Sequence, residues 1–211
     1  MATAVAARLR SRLDREGFPS FQDWQRAGPF AFDADWQGSA PDAHLETQVQ
    51  LLWSSEALFV RFRARYQTIT VFENSEVNGR RDLLWERDVA EMFVQPNPEA
   101  PRRYKEFEVS PNGLWIDLDI DLDTQERKRD MNSGLRCRAR ILPKERIWTA
   151  EMAIPMLALT LAFNPAKRWR ANFFRVEGAQ EPRFYSAWNP THTPQPDFHV
   201  PEAFGELTFK G

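Results

Sequence analysis

The chain has 211 residues, enough for one large domain with a full hydrophobic core. Its 28 basic and 30 acidic side chains are interspersed and leave a formal charge of −2, so no sustained positive field exists to follow a phosphate backbone, and nucleic acid is not expected as a partner. The longest apolar runs fall far short of the roughly 20 residues of a membrane-spanning helix, and Cys137, the single cysteine, excludes an internal disulfide and any cysteine-based zinc cluster.

At the N-terminus, Ala4, Val5, Ala7, Leu9 and Leu13 lie among arginines, a pattern that predicts a short helix ended by Gly17 and Pro19. The same stretch is broken by Arg8, Arg10 and Arg12 and lacks the apolar run of a secretory signal, which by this criterion reads as cytoplasmic. Residues 1–40 are expected to form a helical or extended lead-in packed on a domain spanning 41–211.

From residue 45 the period changes to two. Leu45, Thr47, Val49, Leu51 and Trp53 share one side of a strand with Glu46, Gln48 and Gln50 on the other, and after a turn at Ser54, Ser55 and Glu56 a return strand sets Leu58, Val60, Phe62 and Ala64 against Arg61, Arg63 and Arg65. Further strands are predicted over 89–94, 105–109, 114–122, 135–142, 147–154, 170–176 and 204–209, separated by Pro, Asn and Gly. No βαβ alternation occurs, and Pro155 to Leu161 can hold one helical turn. The fold class is therefore all-β: an antiparallel sandwich of two packed sheets, jelly-roll or immunoglobulin-like, with a short N-terminal helix.

Eight Trp and sixteen Phe are first a matter of core packing, and Trp53, Trp148 and Trp169, lying in strand runs, are assigned to the core. Trp85 differs, because it sits between Arg80, Arg81, Asp82 and Glu86, Arg87, Asp88, where no strand face is obliged to bury it. An indole beside carboxylates suits a pyranose, whose C–H face stacks on the ring while its hydroxyls bond to charged acceptors. Asp117, Asp119, Asp121 and Asp123 alternate with Ile116, Leu118, Ile120 and Leu122, but Leu122 and Lys128 occupy the positions where a calcium loop needs Gly and Glu, so the run reads as a strand with an acidic wet face. Glu106 and Glu108 share one strand face and Glu91 projects between Ala90 and Met92; alternate residues on any strand are about 6.6–7 Å apart, so the spacing alone is no sign of a glycosidase pair. His44, His192 and His199 fall in no metal-ligand or nucleophile motif.

Several segments, in order, resemble the family 9 carbohydrate-binding modules of the DOMON-like β-sandwich group. They are LLWSSEALFVRFRA (51–64), LLWERDVAEMFVQP (83–96), YKEFEVSPNG (104–113), IWTAEMAIP (147–155), WRANFFRVE (169–177), SAWNPT (186–191) and FHVPEAFGELTF (198–209). The resemblance implies a non-catalytic module that clamps a sugar, often the reducing end of a glucan or xylan, between two tryptophans while carboxylate, amide and arginine side chains bind its hydroxyls. It places Trp85 at the first stacking position and Glu91 at the acidic position after it. Glu108 stands where the family carries an arginine, Phe198 or His199 where it carries the second tryptophan, and Arg175 where it carries a polar amide. A carbohydrate ligand, and a glycoside hydrolase of the kind such often-secreted modules accompany, are the implied partners. No cofactor is expected beyond a structural calcium. Two other readings compete: a haem carrier using Met92, Met131 or Met152 with His192 or His199, and a glycoside hydrolase using Glu91, Glu106 or Glu108.

Overall fold

The computed structural model describes residues 2–74, 79–124, 126 and 128–211. The described residues form thirteen strands: β1 (Thr3–Arg8), β2 (Phe30–Phe32), β3 (Thr47–Trp53), β4 (Ala57–Arg65), β5 (Val89–Gln95), β6 (Arg103–Val109), β7 (Trp115–Asp121), β8 (Lys128–Asp130), β9 (Arg136–Leu142), β10 (Ile147–Pro155), β11 (Trp169–Glu177), β12 (Phe184–Ala187) and β13 (Gly205–Lys210). Two short helices accompany them, α1 (Phe21–Arg26) and α2 (Met156–Leu159). The chain is all-β, and every strand expected from residue 45 onward is present within a residue or two of its expected ends.

The N-terminus departs from expectation. Residues 3–8 form a strand, not a helix, because β1 runs parallel to both β13 and β3 and takes main-chain hydrogen bonds from each. Its alternating residues Ala4 and Ala6 are buried against the core. Tertiary pairing here overrides the weak helical spacing of the apolar residues. The short helix comes later, at α1, where Ser20 and Asp23 form a reciprocal capping box and Trp24 packs under Phe18, Leu52 and Phe59.

That first strand also changes the sheet architecture. The strand order is β8-β7-β6-β5-β11-β13-β1-β3-β4-β10-β9, with β2 added to β3 and β12 to β11. The expected two-sheet sandwich is therefore one continuous curled sheet, in which β1 stitches the β5–β11–β13 half to the β3–β4–β10 half. All other pairings between the named strands are antiparallel.

The curl buries one face of the sheet on itself. Val49, Leu51, Val60, Phe62, Met92, Val94, Phe107, Trp148, Met152 and Phe173 meet there, drawn from both halves. Trp53, Trp148 and Trp169 are all buried in this core, as the strand pattern predicts. A second, smaller cluster lies on the opposite face of β5, β6, β7 and β11, built from Phe93, Tyr104, Ile116, Leu118, Ile120, Phe174 and Phe204. The acidic strand β7 follows its expected alternation with one exception. Asp119, Asp121 and Asp123 pair outward with Lys105, Arg103 and Arg102, while Asp117 is fully buried and accepts from the Ser133 amide at 2.7 Å. On its outer side β7 pairs with β8. Among the described residues no helix is long and apolar enough to cross a membrane.

Because β1 is bonded on both sides, a proline in it removes a ladder hydrogen bond from a central strand. Ala6→Pro is expected to destabilise the protein by about 3 kcal/mol or more, read as a lowered urea midpoint. An unchanged midpoint would mean that β1 does not hold the two halves together.

Candidate functional site

The side chains of β5 and β6 sort by parity. Ala90, Met92 and Val94 of β5 and Phe107 and Val109 of β6 enter the main core, while Glu91 and Phe93 of β5 and Tyr104, Glu106 and Glu108 of β6 face the other way. Glu91 lies directly opposite Glu108, and Glu106 opposite Phe93. Antiparallel pairing thus gathers three glutamates from two neighbouring strands onto one patch of sheet.

A cavity of about 230 Å³ opens over this patch. Glu91, Glu106 and Glu108 form its floor; Trp85, Phe93, Tyr185 and Phe198 form its apolar walls; Lys128, Arg183, Asp197 and His199 stand around it. Five of the six candidate residues from the sequence, Trp85, Glu91, Glu108, Phe198 and His199, meet here.

Each wall has a local cause. Leu83 adopts a left-handed backbone (φ 58°), an uncommon conformation for a branched residue, and starts a 3-10 turn over Leu84–Glu86. Leu84 is buried as the anchor, and Trp85 is left half-exposed at the cavity. Arg183 holds this loop by donating to the carbonyls of Trp85 (2.7 Å) and Arg87 (3.2 Å), and through Nε to Gly178 (2.9 Å). Phe198 stacks flat on Phe174, with ring centroids 4.2 Å apart. His199 stacks on Phe93 and its Nδ1 shares a 2.5 Å hydrogen bond with the Tyr104 hydroxyl. Both rings are therefore fixed by packing before any ligand arrives.

Arg175 is not with them. It lies on the opposite parity of β11, only 1 % exposed, with its guanidinium 5.1 Å from the Trp148 ring and paired with Glu177 at 3.1 Å. Glu177 in turn accepts from the amides of Gln67 and Thr68, and Asp88 from those of Thr70 and Gly178. Arg175 balances these two buried carboxylates and so pins the loops beside β5 and β11. A uniform one-residue rule along β11 separates it from the cavity-facing Phe174 and Val176.

The three glutamates of the hydrolase reading meet in this cavity, whereas the residues of the haem reading are dispersed. Met92 and Met152 are buried in the main core, on the far side of the sheet from His199. His192 is exposed. Among the cavity residues that the sequence did not single out, Phe93 lies within a periodic strand, whereas Lys128, Arg183, Tyr185 and Asp197 lie outside the segments with clear periodicity.

The three glutamates are 2 % exposed or less, and one oxygen from each lies within 4.8 Å of the others. Burial pushes the Glu91 carboxyl up to about 8, reinforced by the neighbouring Glu106 and opposed by Lys128 and Arg183. Glu108 rises well above its ordinary range for the same reasons, burial first and its two glutamate neighbours next. Both Glu108 oxygens and Oε2 of Glu106 have no hydrogen-bond partner outside the three glutamates among the described residues. Lys128 is the nearest ammonium: its Nζ sits 4.4 Å from the Trp85 ring centroid and 4.0 Å from Oε1 of Glu106.

Raised carboxyl pKa values mean that the folded chain binds more protons than the unfolded chain between the ordinary glutamate range and about pH 8. Stability should accordingly fall as pH rises through that window. Glu91→Gln is expected to flatten the slope and to exceed the parent at alkaline pH by on the order of a few kcal/mol, measured as unfolding free energy against pH. A parent curve already flat there would mean that the carboxyls ionise freely. Arg175→Met should cost about 3–5 kcal/mol, because it strands Glu177 and Asp88 in the interior, while leaving the cavity's ligand affinity unchanged. A loss of affinity with no loss of stability would instead place Arg175 in the site.

The sequence matches the carbohydrate-binding family 9 profile over residues 35–209. The chain is 24% identical over 181 residues to an extracellular protein of Arthroderma benhamiae, covering 78% of each. It is 27% identical over 186 residues to the UPF0462 protein C4orf33 homolog of Rattus norvegicus, covering 85% of this chain and 87% of that one. In fold it resembles a family 9 carbohydrate-binding module from Caldicellulosiruptor kristjanssonii crystallised with glucose, at 15% identity, with a TM-score of 0.69 over 100% of this chain and 96% of the other. The cellotriose complex from the same organism aligns with a TM-score of 0.68 and 16% identity, over 100% and 94%. The family profile spans most of the chain and includes all the strands that build the cavity, and the chain belongs to carbohydrate-binding family 9.

Proposed function

We propose that this protein binds a short saccharide non-catalytically, seating one sugar ring in the cavity over β5 and β6. The observation that carries the reading is the composition of that cavity. Trp85 and Phe198 offer apolar ring faces, Glu91, Glu106 and Glu108 offer acceptors, and 230 Å³ is below the range of drug-sized pockets and suited to a single ring. Sugar C–H faces stack on aromatic rings, and hydroxyls donate to buried carboxylates more strongly than to neutral acceptors. Relatives of the same fold bind glucose and cellotriose, which agrees with this reading.

The arrangement of the carboxyls favours binding over hydrolysis. A glycosidase needs one carboxyl to protonate the leaving oxygen and another on the opposite side of the anomeric centre, about 5–9.5 Å apart. Here all three lie side by side on one wall, close enough to raise one another's pKa. They have the geometry of a polar floor. The positions occupied by Glu108, Phe198 and His199 differ from the arginine and tryptophan expected in the family, so the ligand differs in detail from a reducing-end glucan.

Lys128 covers part of the Trp85 face, so ligand entry requires this exposed side chain to swing aside. Affinity for a short ligand should then be modest, with Kd about 1 μM to 1 mM. Calorimetric titration against a panel of gluco-, xylo- and amino-oligosaccharides is the test. Trp85→Ala is expected to weaken the best ligand by about tenfold or more, a loss of about 1.4 kcal/mol. Unchanged affinity, or no heat with any saccharide, would overturn the reading.

A further inference from the structure

Resting on that carbohydrate reading, we infer that the saccharide carries a free amine, whose ammonium is seated among Glu91, Glu106 and Glu108 while its ring lies against Trp85. The acceptors set the chemistry. Three carboxylates converge on one point, with one oxygen from each within 4.8 Å of the others. An ammonium has three donors and no acceptor, and so can serve all three at once; a hydroxyl has one donor and can serve only one.

The second observation is the set of buried oxygens that have no partner outside the three glutamates themselves. Glu108 is fully buried and lines the cavity, yet neither of its oxygens has a hydrogen-bond partner outside the three glutamates among the described residues, and Oε2 of Glu106 is in the same state. A buried carboxyl without a partner is costly unless a ligand completes it. Among the described residues, the basic groups of the site do not hydrogen-bond these oxygens, His199 Nε2 standing 3.9 Å from Oε2 of Glu106. Arg183 commits its Nε and Nη2 to the carbonyls of Gly178, Trp85 and Arg87. Lys128 reaches only the rim, 4.0 Å from Glu106.

The third observation is what Lys128 does at that rim. Its ammonium lies over the Trp85 ring and beside Glu106, held by the aromatic wall and the acidic floor that a ligand would use. The chain thus lodges an ammonium of its own at the mouth of the cavity. An amino sugar would displace it, carry its charge deeper to Glu108 and Glu91, and place its ring on the indole face that Lys128 vacates. An N-acetylated sugar would not, since acetylation removes the charge, leaves a single N–H and adds bulk.

Glucosamine oligomers and cello-oligosaccharides share linkage and ring and differ at the 2-position, where one has an amine and the other a hydroxyl. Calorimetric titration of the protein with glucosamine trimer, N-acetylglucosamine trimer and cellotriose, near neutral pH and at low salt, tests the inference. The amine trimer is expected to bind at least about tenfold tighter than either neutral trimer. Glu108→Gln, with its fold checked by circular dichroism, should reduce that preference to about threefold or less, because the amine loses an ionisable partner while a sugar hydroxyl can still donate to the amide oxygen. Lys128→Met, which removes the internal competitor, should tighten amine binding. Equal or tighter binding of cellotriose would overturn the amine inference and leave the carbohydrate reading standing; silence with every saccharide would overturn both. Titration with calcium or manganese chloride gives the remaining outcome. Heat that Glu108→Gln abolishes, without any preference for the amine, would reassign the three glutamates to a divalent cation and overturn the inference.

Discussion

The two-residue period of β5, β6 and β11 separates two chemistries by a single position. Met92 is buried in the main core while Glu91 and Phe93 on either side of it face the cavity, and the same holds for Phe107 between Glu106 and Glu108. These strands therefore cannot change register without driving carboxylates into the hydrophobic core and methionine into the site. The curl of the sheet enforces the register, since the core residues on one face meet partners from β3, β4 and β10.

The site inherits its rigidity from this arrangement. Its floor is sheet, bonded on both sides, and its walls are rings already stacked on buried neighbours: Phe198 on Phe174, His199 on Phe93. The one element built on a loop, Trp85, is tied at its carbonyl to Arg183 and anchored by Leu84. Ordering these groups in advance lowers the entropy lost on binding, which matters for a small ligand with few contacts. Lys128 is an exposed member of the cavity, lying over Trp85 and 4.0 Å from Glu106.

Burying three carboxyls together is unfavourable for the fold; burial and mutual repulsion push Glu91 and Glu108 up, so the empty cavity favours their neutral forms and a bound cation would favour the ionised ones. The buried carboxylates on the other face are handled differently. Asp88 and Glu177 have Arg175 beside them and several main-chain amides to accept from, so charge is balanced internally. The contrast distinguishes a structural ion pair from an acidic floor left open to a cavity.

Much of this was legible in the residues themselves. Alternation along 45–65, 89–95, 103–109 and 147–155 identifies strands and their buried faces, because a side-chain period of two survives whatever the strands pair with. The charged flanks of Trp85, and the parity of Glu106 and Glu108, likewise mark residues that no core claims. Tertiary structure decided the rest. The N-terminal segment is a strand only because β13 and β3 offer it partners from residues some fifty and two hundred positions away, and it thereby converts two expected sheets into one. Arg183 and Asp197 join the cavity through loops, and Lys128 through the three-residue strand β8, none of them with a periodic signal. Arg175 leaves it because the face that β11 turns to the cavity depends on its register with β5, which no local pattern specifies. Periodicity is a property of one strand, whereas a site on a curled sheet is a property of how several strands are aligned.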